Sequence, residues 1–466
     1  MRKSLLNSHK KAQKSQNRKC FQIAVLCLLC LFVANIRAQS ADVVQLFEQV
    51  ATLIRDNRLP AAEKELAAVL RVTPNHPVAL NLMGTIRAKQ NRLVEAESMF
   101  LRAVRNDPKF SGARMNLVYL YLLKRAPEKS IAQLREVLAV EPEHAEAAEK
   151  LAELLLAQRQ FAECISFIEK QRGARPVSPA MLVVLGDAYL AKNELANAEE
   201  NYLVALEGRL ENAGALLGLA QISRLKGELR ETAIYLNRVA TLAADSKSPE
   251  FLYRFGLEAM RVEMFDEAKA ALQRAVDLSP KEPAYMLALG IAWLRKTDLV
   301  EAEKLFRRVL DIQPANAPGQ LHLGYVLLNQ KKYREARLWL EKCARSGVAL
   351  PEVSYYLGLL AQDQGDDARA IALFEKAVQQ LPSYAHARIA LGSSYLRLKN
   401  YPRARQELEK AVQLAPDEPS GHYNLALLYA RTKEPEKAQA QMRIVEDLKS
   451  KRRTSSGGLV LPANPQ

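Results

Sequence analysis

The chain is poor in the residues that make catalytic and metal sites. Of 466 residues, six are His, five are Cys and two are Trp, and aromatics make up 6%. The histidines beyond the first 38 residues, His76, His144, His322, His386 and His422, stand singly. None has a second His or a Cys at metal-ligand spacing. Glycine-rich phosphate loops and dinucleotide fingerprints are missing, and the one glycine pair is Gly457-Gly458 near the end. No cofactor is therefore expected, and no enzyme. A disulfide framework is excluded as well. Cys20, Cys27 and Cys30 fall in one N-terminal apolar stretch, and only Cys164 and Cys343 remain, far apart in the chain. Each of these two is expected to be a small core residue.

The charge is +15, but it is localised. The first 38 residues hold eight basic and no acidic side chains, and the rest carries 59 basic against 52 acidic, or +7. Part of that remainder is the C-terminal group Lys449, Lys451, Arg452 and Arg453. No basic stripe with interleaved aromatics emerges, so no nucleic-acid partner is expected. The N-terminus itself has the order of an export signal: basic Arg2 to Lys19, apolar Cys20 to Ala34, then Ile36-Arg37-Ala38. Residues 1–38 are expected to be a cleaved signal, giving a periplasmic or secreted protein. The alternative is an uncleaved anchor in the inner membrane through residues 20–36, which would be the only membrane contact. No small residue precedes Cys27 or Cys30, and no Asn-X-Ser/Thr acceptor follows the leader.

What is present is a period. Pro74, Pro108, Pro142 and Pro176 recur every 34 residues, as do Pro280 with Pro314 and Pro382 with Pro416. A second series runs in step. Gly84, Val118, Ala152, Gly186 and Ala220 are 34 apart, and after a step of 36 come Gly256, Gly290, Gly324, Gly358, Gly392 and Ala426. Length alone suggests several domains, but a repeat this regular predicts a solenoid that grows without enlarging one core.

Each period reads as two helices. Leu80, Met83, Gly84 and Arg87 step by three and four, Asn91 interrupts, and Leu93, Ala96, Phe100 and Ala103 step again before Pro108. Proline stops the second helix because its ring blocks continuation. At Pro60, Pro127, Pro402 and Pro435 it starts one, where its missing N–H has no partner to lose. The small residues of the first helix are expected to face small ones early in the second, such as Ala96, Ala198, Ala302 and Ala404. Phe100, Tyr202, Phe306 and Phe374 are expected to fill the seam to the next unit.

With Leu289-Gly290, Trp293, Leu299, Ala302, Phe306, Val309 and Pro314 in place, the chain resembles the tetratricopeptide repeat family. The resemblance covers about residues 42 to 448 in twelve units. It implies an all-α fold, a right-handed superhelical solenoid of helix-turn-helix repeats. Expected segments are repeats 1–6 at 42–244, repeats 7–12 with a capping helix at 249–450, and a disordered tail at 451–466. Departures are Val50 and Val118 at the small position of the first helix, and Ser130 and Cys164 at that of the second. Two extra residues near Leu242 to Pro249 mark a candidate hinge.

The resemblance further implies that the first helices line a concave groove where a protein or peptide partner binds. The groove positions in the early units are Asn81, Thr85, Met115, Tyr119, Glu149, Glu153, Val183 and Asp187, which are mixed and partly acidic. In the late units they are Tyr253, Leu257, Leu287, Ile291, Leu321, Tyr325, Tyr355, Leu359, Ile389, Ser393, Tyr423 and Leu427. Tyrosine and aliphatic side chains suit a peptide hot spot. The competing reading is that these side chains touch only their own neighbours in a tightly wound coil. The basic, Asn-rich clamp by which some family members hold acidic C-termini has no match here. The expected function is a non-enzymatic, exported scaffold that binds a partner in the late groove, with a membrane-tethered assembly factor as the alternative.

Overall fold

The computed structural model describes residues 41–207 and 211–454, so the expected leader and residues 455–466 lie outside it. The described residues form 24 α-helices and no strand, joined by short turns into consecutive antiparallel pairs. In each pair we call the first helix A and the second B; Pro283–Arg295 and Leu299–Ile312 are one example. The described residues pack as two compact units, unit 1 up to Ile222 and unit 2 from Ser223 onward.

The A–B turn has one solution throughout. A residue in the left-handed region stands seven positions after the small residue: Asn57, Asn91, Arg125, Arg159 and Asn193 in unit 1, and Gly227, Glu263, Thr297, Lys331, Gly365, Lys399 and Lys433 in unit 2. The next N–H then reaches back five residues, as from Arg92 to the Arg87 carbonyl (2.8 Å) and from Lys332 to that of Leu327 (2.8 Å). This satisfies carbonyls that a helix end leaves orphaned. Lys and Arg are not favoured there, so the closure comes from packing and hydrogen bonding rather than local preference.

The prolines do more than stop helices. In four repeats the side chain four places into helix A hydrogen-bonds to the carbonyl of the preceding proline. Gln320 Nε2 donates to Pro314 (2.7 Å), Arg388 Nε to Pro382 (2.9 Å) and Arg114 Nη2 to Pro108 (3.1 Å), while His422 Nε2 lies 2.9 Å from the Pro416 carbonyl. Side chains of three chemistries, amide, guanidinium and imidazole, thus brace the same corner. The scattered histidines find structural places in the same way. His76 and His144 cap helices by accepting from Ala79 and Ala147 N–H groups, and His322 stacks on Phe306 at 5.3 Å.

The close approach of A and B differs from the expectation above. A Cβ on Gly290 would lie 2.5 Å from Phe306 Cε1, and one on Gly84 2.6 Å from Phe100 Cε1. Gly186 meets Tyr202 and Gly358 meets Phe374 at 2.5 Å. The large residue sixteen positions on therefore packs onto the glycine of its own unit, closer than the small residue of helix B. Tyr202 also reaches Gly218 of the following helix. Where Leu replaces the ring, at Leu272, Leu340 and Leu408, the small residue does come near: the Ala268, Ala336 and Ala404 carbonyls lie 3.3–3.5 Å from the built Cβ. Two sequence departures are resolved here. Ser130 Oγ donates to the Val118 carbonyl (3.0 Å) and Cys164 Sγ to that of Ala152 (3.5 Å), so each buried polar group has its acceptor on helix A.

The two extra residues before Pro249 are held in place. Arg274 donates to the Ala243 carbonyl and, at 2.8 Å, to that of Ser246, and Ser248 caps helix Pro249–Arg261. Ion pairs join neighbouring repeats along the B helices and the A–B turns, including Arg307 to Glu335 (2.9 Å) and Lys332 to Glu303 (3.0 Å). They are largely exposed, so each is worth at most about 1 kcal/mol.

Gly290→Ala is expected to lower stability by about 1–3 kcal/mol through overpacking. In a Phe306→Ala background the added cost should fall by more than half, whereas Leu would not relieve it, since Leu272, Leu340 and Leu408 come within 2.6 Å of a Cβ built on their glycines. Urea unfolding midpoints of the four-member cycle measure this, and simple additivity would refute the contact as the cause. Burial pushes the Cys164 thiol up to about 11, with the Asp187 and Glu163 carboxylates adding to it, and burial likewise pushes Cys343 up to about 11. Both should resist iodoacetamide at pH 8 in the folded chain and react on unfolding. Peptide mapping by mass spectrometry reports each site, and rapid native labelling at either would contradict the burial.

Candidate partner-binding face

The expected groove residues fall on successive A helices. Tyr253 and Leu257 lie on Pro249–Arg261, and Leu287 and Ile291 on Pro283–Arg295. Leu321 and Tyr325 lie on Ala317–Asn329, Tyr355 and Leu359 on Pro351–Asp363, Ile389 on Ala385–Arg397, and Tyr423 and Leu427 on Pro419–Arg431. Their exposure is uneven. Tyr423 is 45% exposed, and Tyr253, Leu257, Leu287, Ile291, Tyr325, Tyr355, Leu359 and Leu427 are half-buried.

Leu321 and Ile389 need correcting as accessible positions: they are 9% and 7% exposed. Leu321 joins the core made with Val353, Tyr356 and Leu357. Ile389 is covered by the following A helix, where Gly421 permits the approach, since a Cβ there would sit 3.4 Å from Ile389 Cδ1.

The half-buried residues have two sides. One side packs on buried clusters. Tyr253, Leu257 and Leu287 lie against Leu272, Met286 and Leu289, and Tyr325, Tyr355 and Leu359 lie against Phe306, Val353 and Leu360. The other side is open. They therefore do touch their own neighbours, yet burial is incomplete.

The matching face of unit 1 is used internally. Asn81, Thr85 and Met115 are buried; Asn116 Nδ2 donates to Asn81 Oδ1 (2.8 Å) and Thr85 Oγ1 to the Asn81 carbonyl (3.1 Å). Tyr119 bonds Glu146, Ser178 Oγ donates to Glu149 (2.6 Å), Lys150 pairs with Glu153 (2.5 Å), and Tyr202 donates to Asp187 (2.7 Å). Val183 is half-buried and packs beside Gly214. Hydrogen-bonding capacity there is largely spent.

The structure also brings together tyrosines that the groove positions omit. Tyr285 lies 4.9 Å from Tyr253. Tyr356 lies 5.3 Å from Tyr325 and 5.3 Å from Tyr355, which is itself 5.3 Å from Tyr384. Burial raises the Tyr253 and Tyr285 hydroxyls; Arg261 opposes this at Tyr253, and the Glu250 and Glu282 carboxylates reinforce it at Tyr285. Tyr285, Tyr356 and Tyr384 were hard to foresee because they sit beside, rather than on, the expected register. Their only sequence signal is the density of tyrosine after residue 250.

Among the described residues, no group of three or more His, Cys, Asp or Glu side chains is arranged to hold a metal ion. Among the same residues no helix is long and apolar enough to cross a membrane.

The Tetratricopeptide repeat family model matches residues 47–109, 115–179, 253–317, 321–385, 355–419 and 389–449. A curated relative, Cellulose synthase operon protein C of Xanthomonas axonopodis pv. citri (strain 306), is 27% identical over 222 residues, covering 48% of this chain. The match spans only 13% of that relative's length. Among solved structures, the APC/C hetero-tetramer Cut9–Hcn1 is similar over 91% of this chain and 97% of that one, at 14% identity and TM-score 0.45. YrrB, described as a TPR protein with an unusual peptide-binding site, is similar over 40% of this chain and 95% of its own, at 18% identity and TM-score 0.32. With its family matches covering more than half of its length, the chain belongs to the tetratricopeptide repeat family.

Proposed function

We propose that this chain is an exported, non-enzymatic scaffold that holds an extended or helical segment of a protein partner on the A-helix face of residues 249–431. One observation carries the reading. Tyrosine and aliphatic side chains on successive A helices of unit 2 keep an open side, while the corresponding face of unit 1 is hydrogen-bonded to itself. Tyrosine offers a large apolar face and one hydroxyl at small entropic cost, which favours it as an anchor. A row of such anchors spaced by one repeat suits a peptide that runs across several repeats.

Export rests on the basic, apolar and small-residue order of residues 1–38. The length of the basic stretch, Arg2 to Lys19, favours a second reading in which residues 20–36 stay as an anchor and the array serves an envelope or secretion complex. Mass spectrometry of the mature N-terminus separates them: a chain starting near Gln39 removes the anchor.

The binding face is tested with random dodecapeptides displayed on phage and selected on the purified full chain. Tyr253→Ala and Tyr423→Ala should each weaken the selected peptides by roughly 2 kcal/mol, about thirtyfold, as hot-spot truncations do. Thermal unfolding of the exposed Tyr423→Ala variant should stay within a few degrees of the parent. Undiminished binding by both folded variants would sink the face assignment.

A further inference from the structure

Of the four buried polar atoms of unit 2 that lack a partner among the described residues, Gln320 Oε1, Gln330 Oε1, Glu352 Oε2 and the Tyr384 hydroxyl, the last two lie among the tyrosines of this face. Glu352 stands in the first turn of helix Pro351–Asp363 and is 7% exposed. No ion pair or hydrogen bond among the described residues reaches it, and its Oε2 is sealed from solvent without a donor. Tyr384 precedes helix Ala385–Arg397, is 7% exposed, and its hydroxyl is equally sealed and unpartnered. Tyr355 stands between Tyr356 and Tyr384, 5.3 Å from each, and Tyr325 backs Tyr356 at 5.3 Å. Burial raises the Tyr356 and Tyr384 hydroxyls, and Glu352 is close enough to both to raise them further. Burial also pushes Tyr355 up to about 12, helped by the Glu418 carboxylate. The surroundings are therefore four aromatic rings, with the Glu418 carboxylate near Tyr355 and the Glu352 carboxylate near Tyr356 and Tyr384. Arg295 lies near Tyr325 but makes no ion pair with Glu352.

This arrangement is unlike the way the chain treats its other deeply buried carboxylate. Glu258 is 4% exposed and is neutralised twice, by Arg224 at 3.0 Å and by Arg261 in direct contact. A buried carboxylate without a donor costs stability. Tyrosine rings turn a negative face to whatever sits among them, which attracts a cation. An anionic guest would be repelled, and an apolar one would leave Oε2 without a donor. A cation supplies the donor and uses the ring faces as well. The half-buried Tyr325 and Tyr355 are the side from which it would enter.

We infer that Glu352, Tyr355, Tyr356 and Tyr384 form a subsite that receives a Lys or Arg side chain of the bound peptide; this rests on the binding face proposed above. The subsite sets specificity: the partner segment carries a basic residue in register with the tenth repeat. Its guest displaces no ion pair, since no cation among the described residues pairs with Glu352.

The test runs the same dodecapeptide selection on the parent chain and on Glu352→Gln. Peptides selected on the parent should be enriched in Lys or Arg at one aligned position, and the enrichment should vanish on the variant. For a synthetic copy of the strongest peptide, Glu352→Gln should weaken binding about tenfold, as loss of a charge-assisted contact does. Replacing the peptide's basic residue by norleucine should cost the parent the same factor and the variant little. Glu352→Gln should also unfold in urea no earlier than the parent, because it removes an unpaired charge. The norleucine arm needs no altered protein, so it decides the matter even if the variant folds poorly. Peptides that need Tyr253 and Tyr423 but show no basic preference would overturn the cationic subsite and leave the face standing. Selected peptides indifferent to Tyr253 and Tyr423 would overturn both.

Discussion

The constraint on which the structure depends is the contact between the small residue of helix A and the large residue sixteen positions later. The two helices of a unit can approach only as closely as that pair of side chains allows. Where the large residue is an aromatic ring, at Phe100, Tyr202, Phe306 and Phe374, the small residue is glycine, and the ring lies where a Cβ would be. Where the small residue is Val or Ala, at Val118 and Ala152, the partner position holds Leu134 or Ile168. Leu272, Leu340 and Leu408 also face glycine, so a ring goes with glycine although glycine does not require a ring. Interiors packed to crystal-like density tolerate such exchange and little else. Because the contact recurs in each unit, a tolerable error in one place would be repeated along the whole array.

That contact also determines where polar groups must go. Helices held this close have short, tight turns, and short turns leave carbonyls exposed at their corners. At several of these the chain uses whatever side chain the position offers: Gln320, Arg388, Arg114 and His422 at four proline corners, and Ser130 and Cys164 at two close approaches. Among the few buried polar atoms left without a partner, Glu352 Oε2 is the one that belongs to a carboxylate, and the Tyr384 hydroxyl lies close to it. The two groups are also far enough along the A-helix face to share the surroundings of the half-buried tyrosines.

The fold was legible in the sequence because its two punctuation series, the prolines and the small residues, fall in one register. Helix pairing follows from the period, and the turn follows from the interruption at residues such as Asn91. The partner of the small residue was less legible. Spacing alone matched Gly84 to Ala96, but the ring of Phe100 lies nearer, and this depends on how side chains point along a helix rather than on their count. The candidate face was legible in part. Register placed Tyr253, Leu287, Tyr325 and Tyr355 on successive A helices, but it also marked Leu321 and Ile389, which the neighbouring helices bury. Tyr356 and Tyr384 were out of reach because they belong to adjacent positions that meet only when repeats stack. Glu352 reads in sequence as an ordinary first-turn acid, and nothing in the one-dimensional pattern shows that its oxygen lacks a donor.

The two faces also bear on how such an array divides its labour. A repeat has few ways to expose an A-helix side chain, since the next repeat covers most of it. In unit 1 the remaining capacity is closed by hydrogen bonds such as Asn116 to Asn81 and Tyr202 to Asp187. That stiffens the repeats and leaves a guest few groups to bond. In unit 2 the same positions carry mostly rings and aliphatic chains, which, apart from the buried Leu321 and Ile389, stay at least half open. The energy of a guest there comes mainly from apolar area, which is tolerant of sequence. Discrimination then has to come from the few polar groups left without partners, because an unmet charge penalises every guest that fails to match it. On this argument Glu352 would add selectivity to a face whose affinity lies elsewhere, and its cost to the fold is the condition for that selectivity.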